Sequence, residues 1–142
     1  MKIEGILIHK TPYKERDLIA KLLLRSGKTQ SVYFYGGQGG GKSRKGSILE
    51  LGHMVSVQLQ ERRKKLETDL VMAKEYQLLW SGKKIRENFM AFYLMSFYLE
   101  LMSKVTLDDA LDDIDDDHQQ GLFNVLSNAL YFLNEAVEKN QF

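Results

Sequence analysis

Short apolar runs separated by turn residues fill the first part of the chain. Ile3–His9 is rich in β-branched residues, and Lys10–Tyr13 ends it with turn chemistry. Asp17–Leu24 is ambiguous between strand and helix by periodicity, but Ser26–Lys28 forms a tight turn into the Val- and aromatic-rich run Thr29–Tyr35. A hairpin then joins the second run to the third, and we predict three β-strands.

Two further strands are predicted after a long connection. His53–Gln60 alternates cleanly, with Val55, Val57 and Leu59 on one face. Leu66–Tyr76 follows as a fifth strand. Five strands in about 75 residues, with the long connection between the third and the fourth, are typical of a small Greek-key barrel.

The pattern becomes helical after Trp80. Ile85–Val105 contains no glycine or proline and is apolar on most sides, which predicts a buried helix. An acidic connection, Asp108–Asp117, leads to Gln119–Lys139, whose apolar residues fall on one helical stripe. That stripe consists of Leu122, Val125, Leu126, Ala129, Leu130, Phe132, Leu133 and Val137. We predict an α+β fold, with a barrel at residues 1–81 and a helical hairpin at residues 82–142 that packs on it or on further helices.

The most apolar stretch, Phe89–Met102, has 14 residues. Because a membrane-spanning helix needs about 20 apolar residues, we expect a core helix and no association with a membrane.

The chain begins without a long apolar segment behind basic residues, so no signal peptide is expected. It contains no cysteine, which excludes a disulfide scaffold and thiolate zinc sites and fits a reducing cytosol.

The net charge of +1 conceals an asymmetry between the two halves of the chain. Residues 1–81 carry 15 Lys or Arg against 8 Asp or Glu, whereas residues 82–142 carry 5 against 11. A basic half can release counterions from a phosphate backbone, and an acidic half is repelled by it. Attraction between the halves within the fold is the alternative that the sequence leaves open.

Two basic clusters in the first half are candidates for contacting phosphates. Lys42, Arg44 and Lys45 end a glycine-rich connection, in which glycines permit close approach to a nucleic-acid backbone. The second cluster, in the predicted turn between the fourth and fifth strands, consists of Arg62, Arg63, Lys64 and Lys65. Both clusters can lie along one side of such a barrel and form an electrostatic groove. A solvated linker and an exposed hairpin tip are the alternatives.

The third predicted strand carries three consecutive aromatic residues. Tyr33 and Tyr35 share one face, and aromatic rings on a barrel surface stack bases. Phe34 lies on the other face and is expected in the core. A core position is the alternative for the two tyrosines as well.

The segment Gly36–Ser43 matches the phosphate-binding pattern G-x-x-x-x-G-K-[ST] at every position. In such a loop, backbone N–H groups and a helix N-terminus surround the phosphates. Here, however, Gly46 falls in the first turn of any following helix, and only a short run remains before Gly52. The chain also lacks the alternating strands and helices of P-loop enzymes, so the match is better explained without a nucleotide.

No residue set indicates a metal, a cofactor or catalysis. Asp113, Asp115 and Asp117 imitate the start of a calcium loop, but His118 replaces the required glycine. The three histidines have no ligand spacing, and no nucleophile stands near a base in the sequence.

Several stretches match, in order and spacing, the motifs of one protein family. They are the strand Glu4–Leu7, the turn Pro12–Leu18, the turn Ser26–Lys28, the basic stretch Lys42–Arg44 with Gly46 and Leu49, and the helical segments Phe92–Leu101 and Leu122–Glu135. Together they resemble the RecO family of bacterial recombination mediators across essentially the whole chain.

The resemblance implies an OB-fold barrel that binds single- and double-stranded DNA and anneals complementary strands. It implies that the protein acts with RecR to load RecA onto DNA coated by the single-stranded-DNA-binding protein. It also implies a location in the cytoplasm, at the nucleoid during repair, and neither an enzyme activity nor a cofactor. The residues that we expect to contact DNA are Lys28, Tyr33, Tyr35, Lys42, Arg44, Lys45, Arg62, Arg63, Lys64 and Lys65.

The chain departs from the family pattern in three respects. Further basic residues are common before the K-S-R stretch, where this chain has Gln38 and three glycines, and Lys14 replaces a small residue. Relatives are longer, often with a four-cysteine zinc module, so we expect an incomplete helical region, as a fragment or as an abbreviated member. In relatives that region binds the tail of the single-stranded-DNA-binding protein, so this partner stays open. The alternatives are a protein-interaction adaptor with weak DNA binding and a P-loop nucleotide-binding protein.

Overall fold

In the computed structural model, which describes residues 1–38, 48–61, 70–106 and 116–142 (116–120 as helix backbone alone), strands come first and helices follow. The strands are β1 (Lys2–Tyr13), β2 (Asp17–Leu24), β3 (Thr29–Phe34), β4 (Met54–Leu59) and β5 (Val71–Trp80). The helices are α1 (Lys83–Glu87), α2 (Phe89–Val105) and α3 (Asp116–Glu138).

The strands close into a barrel in the order β1-β2-β3-β5-β4. All neighbouring pairs are antiparallel except β3 and β5, which run parallel. The alternating apolar residues of each strand fill the barrel interior, with Leu7, Leu22, Phe34, Val55 and Val57 among those fully buried. This five-stranded Greek-key barrel, with its long β3–β4 connection, is the OB-fold topology that was predicted.

The first strand is longer than its sequence predicts. Its pairing with β2 continues through Pro12↔Leu18 to Tyr13↔Asp17, so the predicted end at His9 is wrong. Proline is tolerated there because β4 pairs with β1 only as far as Ile6, which leaves this part of β1 at an edge of the sheet.

The fifth strand extends past its predicted end at Tyr76. It pairs with β4 as far as Met54↔Trp80, across two irregularities of register. Its last four residues include exposed Leu78 and Leu79, which obscure the alternation of buried and exposed positions. The predicted start of this strand, at Leu66, lies outside the described residues.

The single predicted helix Ile85–Val105 is divided at Asn88. Asn88 has an extended backbone, and its side-chain oxygen accepts the N–H of Ala91 at 3.0 Å, so it caps α2. The preceding helix α1 is capped from α3, because Oδ1 of Asn134 accepts the N–H groups of Lys84 and Ile85 at 2.9 and 3.3 Å.

A second apolar core joins the helices to the outside of the barrel. Ile6, Ile8 and Leu23 of β1 and β2 are buried against α2 and α3. The guanidinium of Arg86 in α1 donates to the carbonyl of Leu51 in the β3–β4 connection. The apolar residues from α2 and α3 are Ala91, Met95, Leu99, Met102, Phe123, Leu126, Leu130 and Leu133. The prediction that the helical region packs on the barrel is confirmed.

Only one face of α2 is buried among the described residues. Met95 and Leu99 lie in the second core, whereas Phe89, Tyr93 and Phe97 are exposed on the opposite face. The prediction of a helix buried on most sides is therefore wrong, because the barrel and α3 cover a single stripe of it. In α3, the predicted stripe is buried at Leu126, Leu130 and Leu133 but exposed at Val125 and Phe132.

Gly52 lies where the β3–β4 connection passes over α2. Its φ is +83°, and a Cβ atom at this position would lie 2.6 Å from Sδ of Met95. The variant Gly52→Ala combines the penalty of a left-handed backbone with a collision against a buried side chain. We expect it to lower the free energy of unfolding by about 2–3 kcal/mol, measured by urea denaturation.

Gly36→Ala is the matched control for this variant. Gly36 also has a positive φ, +65°, but nothing lies within 4 Å of an added Cβ. Its free energy of unfolding should therefore fall only by the penalty of the left-handed backbone, about 1–2 kcal/mol. Equal losses in the two variants would contradict close packing of Gly52 on α2.

Candidate nucleic-acid interface

Tyrosine side chains gather on the outer face of β3. Because Val32 and Phe34 point into the barrel core, Tyr33 and the following Tyr35 project outward. Their ring centroids are 4.9 Å apart at an interplanar angle of 62°. The predictions that Phe34 belongs to the core and that the two tyrosines share a face are confirmed. Tyr33 is almost fully buried, whereas Tyr35 is exposed.

Tyr13, at the end of β1, completes what we call the tyrosine cluster of Tyr13, Tyr33 and Tyr35. Its ring meets that of Tyr33 edge-on, with centroids 5.7 Å apart and planes inclined at 75°. Nζ of Lys14 lies 5.6 Å from the centroid of Tyr13. The sequence pattern does not indicate Tyr13, because it places this residue in a turn rather than in β1.

Asp17, the first residue of β2, forms hydrogen bonds with the cluster and with the residue that follows it. Its carboxylate accepts the hydroxyl of Tyr33, and its other oxygen accepts the backbone N–H of Gly36 at 2.9 Å. The hydrogen bond from Tyr33, followed by that from Gly36, lowers the pKa of Asp17 below its ordinary value. The same bond raises the pKa of Tyr33 to about 12. At neutral pH, Asp17 is therefore ionised and Tyr33 is neutral.

The lowered pKa of Asp17 predicts a pH-dependent contribution to stability. A group whose pKa is lower in the folded state stabilises the fold above its unfolded pKa, and this contribution disappears as the pH falls through the folded value. We expect Asp17→Asn to lower the melting temperature at about pH 7 and the difference from wild type to vanish well below pH 3.8. Thermal melts of both proteins at the two pH values check this. A difference in melting temperature that does not change with pH would contradict a hydrogen bond to an ionised Asp17.

Gln38 ties the start of the long β3–β4 connection to the β1–β2 turn. Its Nε2 donates to the carbonyls of Asp17 and Lys14 at 2.7 and 3.3 Å, and its backbone N–H donates to Arg16 at 3.0 Å. The connection that leads to Lys42, Arg44 and Lys45 therefore leaves the barrel beside the tyrosine cluster. Those three residues lie outside the described part of the chain.

The backbone N–H groups of Gly36, Gly37 and Gln38 are all engaged within the protein. They donate to Asp17, to the carbonyl of Phe34 and to the carbonyl of Arg16. A phosphate-binding loop needs such groups free to face its ligand. The described part of the Gly36–Ser43 motif is thus arranged as a turn bound to the barrel, and the rest of the motif lies outside the described residues.

The start of β5 lies next to the tyrosine cluster as well. Val71 and Met72 pair with Val32 and Tyr33, and Gln60 donates its N–H to the carbonyl of Met72 at 2.9 Å. The chain therefore returns from the β4–β5 connection directly beside β3. Arg62, Arg63, Lys64 and Lys65 belong to that connection and lie outside the described residues.

Lys28 is the one predicted contact residue that the fold places away from the cluster, among those described. It is exposed in the β2–β3 turn, at the opposite end of β3 from Tyr35. It is five positions before Tyr33, which corresponds to about 16 Å along a strand. The exposed basic residues nearer the cluster are Lys14 and Arg16 of the β1–β2 turn, which are not among the predicted contact residues.

A search of the described residues for three or more clustered metal-ligating side chains finds none. Across those same residues, no helix is long and apolar enough to cross a membrane.

The model of one family, described as Recombination protein O N terminal, matches residues 1–73 of the chain. Among solved structures, the crystal structure of the S. pombe Stn1-ten1 complex is similar at 16% sequence identity and a TM-score of 0.39, with 75% of each chain covered. A search of curated protein sequences finds no match.

Proposed function

Because the chain belongs to the recombination protein O family, as the match over residues 1–73 shows, we propose that it is a non-enzymatic DNA-binding recombination mediator. In this role it binds single- and double-stranded DNA through its barrel and anneals complementary strands. With RecR, it helps to load RecA onto strands coated by the single-stranded-DNA-binding protein.

The observation that supports the proposal is that each basic connection has one end beside β3 on the barrel. Gln38 anchors the start of one connection to the β1–β2 turn, and Val71 brings the end of the other beside β3. Tyr13 pairs with Asp17 in the same part of the barrel, Tyr33 pairs with Met72, and the rings of Tyr13 and Tyr35 are exposed. In small Greek-key barrels the corresponding face and loops bind oligonucleotides.

The charges carried by these connections suit a phosphate backbone. Together they hold seven basic residues: Lys42, Arg44, Lys45, Arg62, Arg63, Lys64 and Lys65. Exposed Lys14 and Arg16 add two more charges in the β1–β2 turn. Lys28 contacts the DNA when a bound DNA strand extends along β3 as far as the β2–β3 turn.

The proposed activity is tested by annealing of two complementary oligonucleotides, one of them carrying a fluorophore and the other a quencher. We expect the chain to accelerate annealing and to do so on strands coated with the single-stranded-DNA-binding protein. The matched control is a variant with all seven residues of the two basic connections replaced by glutamine, which should anneal no faster than buffer. Equal rates for buffer, wild type and variant would overturn the annealing role.

A second candidate function is supported by the exposed face of α2. Phe89, Tyr93 and Phe97 present aromatic surface on one side of this helix. Such a surface suits a protein-interaction adaptor with weak DNA binding, and the tail of the single-stranded-DNA-binding protein is one candidate partner. Binding of an oligonucleotide at low salt separates the two candidates, because an adaptor of this kind binds DNA weakly or not at all.

A further inference from the structure

The tyrosine cluster presents two exposed rings supported by a buried one. Tyr13 and Tyr35 are 45% and 62% exposed, whereas Tyr33 between them is 7% exposed. Both outer rings meet Tyr33 at steep angles, and the hydroxyl of Tyr33 is held by Asp17. Each outer ring therefore packs against Tyr33 on one side while part of its surface faces solvent.

We infer that Tyr13 and Tyr35 form a stacking site for unpaired nucleic-acid bases, with Tyr33 as its support. This inference rests on the DNA binding proposed above and specifies the kind of strand that this face takes. Aromatic rings on a barrel surface bind single strands because every base has a π-face that can lie on them. In a duplex those faces are covered by neighbouring base pairs, so the site favours single strands.

Charges around the cluster orient the bound strand. Asp17 lies among the rings and is ionised at neutral pH, since two hydrogen bonds lower its pKa. A carboxylate repels phosphates but not neutral bases. Nζ of Lys14 lies over the ring of Tyr13, 5.6 Å from its centroid, and Lys14 and Arg16 of the β1–β2 turn are both exposed. Bases therefore lie over the rings, and phosphates lie towards the β1–β2 turn.

Because Tyr33 is buried, it supports the other two rings instead of stacking on a base as its sequence position predicts. With 7% of its surface exposed and a ring on each side, it offers almost no area to a base. Its hydroxyl is also occupied by Asp17. Base contact is thus carried by Tyr35 and by Tyr13, and Tyr33 contributes by holding their orientation.

The test compares two probes for binding to the full chain by fluorescence anisotropy at low salt. One is a short oligothymidylate, and the other is an oligomer of the same length in which every nucleotide is abasic. We expect wild type to bind the oligothymidylate at least about 25-fold more tightly than the abasic oligomer. Tyr13→Leu and Tyr35→Leu should each lower this ratio by about fivefold or more and leave the affinity for the abasic oligomer within about twofold.

Tyr131→Leu is the matched control, because Tyr131 of α3 is similarly exposed but lies outside the tyrosine cluster. It should leave both affinities unchanged. If wild type binds the two probes equally, or if the ratio survives both cluster substitutions, the stacking site is refuted while charge-driven DNA binding stands. If neither probe binds at low salt, the proposed function itself fails.

Discussion

Replacing Arg62, Arg63, Lys64 and Lys65 together with glutamine should reduce the affinity for a single-stranded oligonucleotide by about 10³-fold at low salt. For single strands, each phosphate contact makes the slope of log affinity against log salt concentration steeper by about 0.7, so losing four contacts makes the slope of the variant shallower by about 3. The affinities of wild type and variant therefore diverge by about a thousandfold for each tenfold decrease in salt concentration. Anisotropy titrations at several salt concentrations measure both quantities.

The matched control removes four positive charges from the helical region. Lys83, Lys84, Lys104 and Lys139 are replaced by glutamine, which changes the net charge by the same amount. Three of them, the lysines at 84, 104 and 139, already pair with Glu87, Glu100 and Glu135. A loss of affinity as large as that of the first variant would show that only the total charge matters, and would contradict a localised interface.

Met95→Ala should lower the free energy of unfolding by about 2–5 kcal/mol. Met95 is 1% exposed in the second core and contacts Gly52 of the barrel, so its truncation leaves a cavity between α2 and the barrel. Since small proteins are stable by only about 5–15 kcal/mol, such a loss is large. Urea denaturation followed by circular dichroism and by fluorescence of Trp80 measures it.

Two controls accompany this variant. Phe97→Ala truncates a residue that is 58% exposed on the other face of α2, and it should change the stability by no more than about 0.5 kcal/mol. The circular dichroism of the helices and the fluorescence of Trp80 should also have the same urea midpoint, because the helices and β5 share the second core. Separate transitions for helix and barrel would contradict that shared core.

The barrel could be predicted because its strands have one face inside and one outside. Alternation identified β4 to within one residue at each end. The Val and aromatic content identified β3, and the turn at Ser26–Lys28 then made the ambiguous run Asp17–Leu24 a strand. The prediction was wrong where tertiary pairing overrides local signals, as at Pro12, which the pattern placed in a turn and the fold places in β1. The division at Asn88 did have a local signal, a capping residue before an apolar run, which the absence of glycine and proline concealed.

The interface was predictable only in part. Alternation along β3 placed Tyr33 and Tyr35 on one face, and their ring contact confirms it. Gln38 could not be selected, because its partners Lys14 and Asp17 lie more than 20 residues away and no local pattern marks them. The DNA contacts of the basic residues at 42–45 and 62–65, and the domain boundary after residue 81, stay predictions.

The family assignment came from motifs spread over the chain, and the family match over residues 1–73 confirms it for the barrel. The motifs around Glu4–Leu7 and Pro12–Leu18 fall in β1, in the β1–β2 turn and at the start of β2. Those elements carry Tyr13 and Asp17, so the recognised motif also forms part of the proposed interface.

The central claim, that this barrel binds single-stranded DNA through its basic connections, is tested most directly by the salt dependence of binding. The measurement is the affinity of the full chain for a labelled oligothymidylate, by anisotropy, over a series of salt concentrations. Seven phosphate contacts predict a straight line of log affinity against log salt with a slope of up to about −5. Undetectable binding at the lowest salt, or an affinity that does not change with salt, would contradict the account.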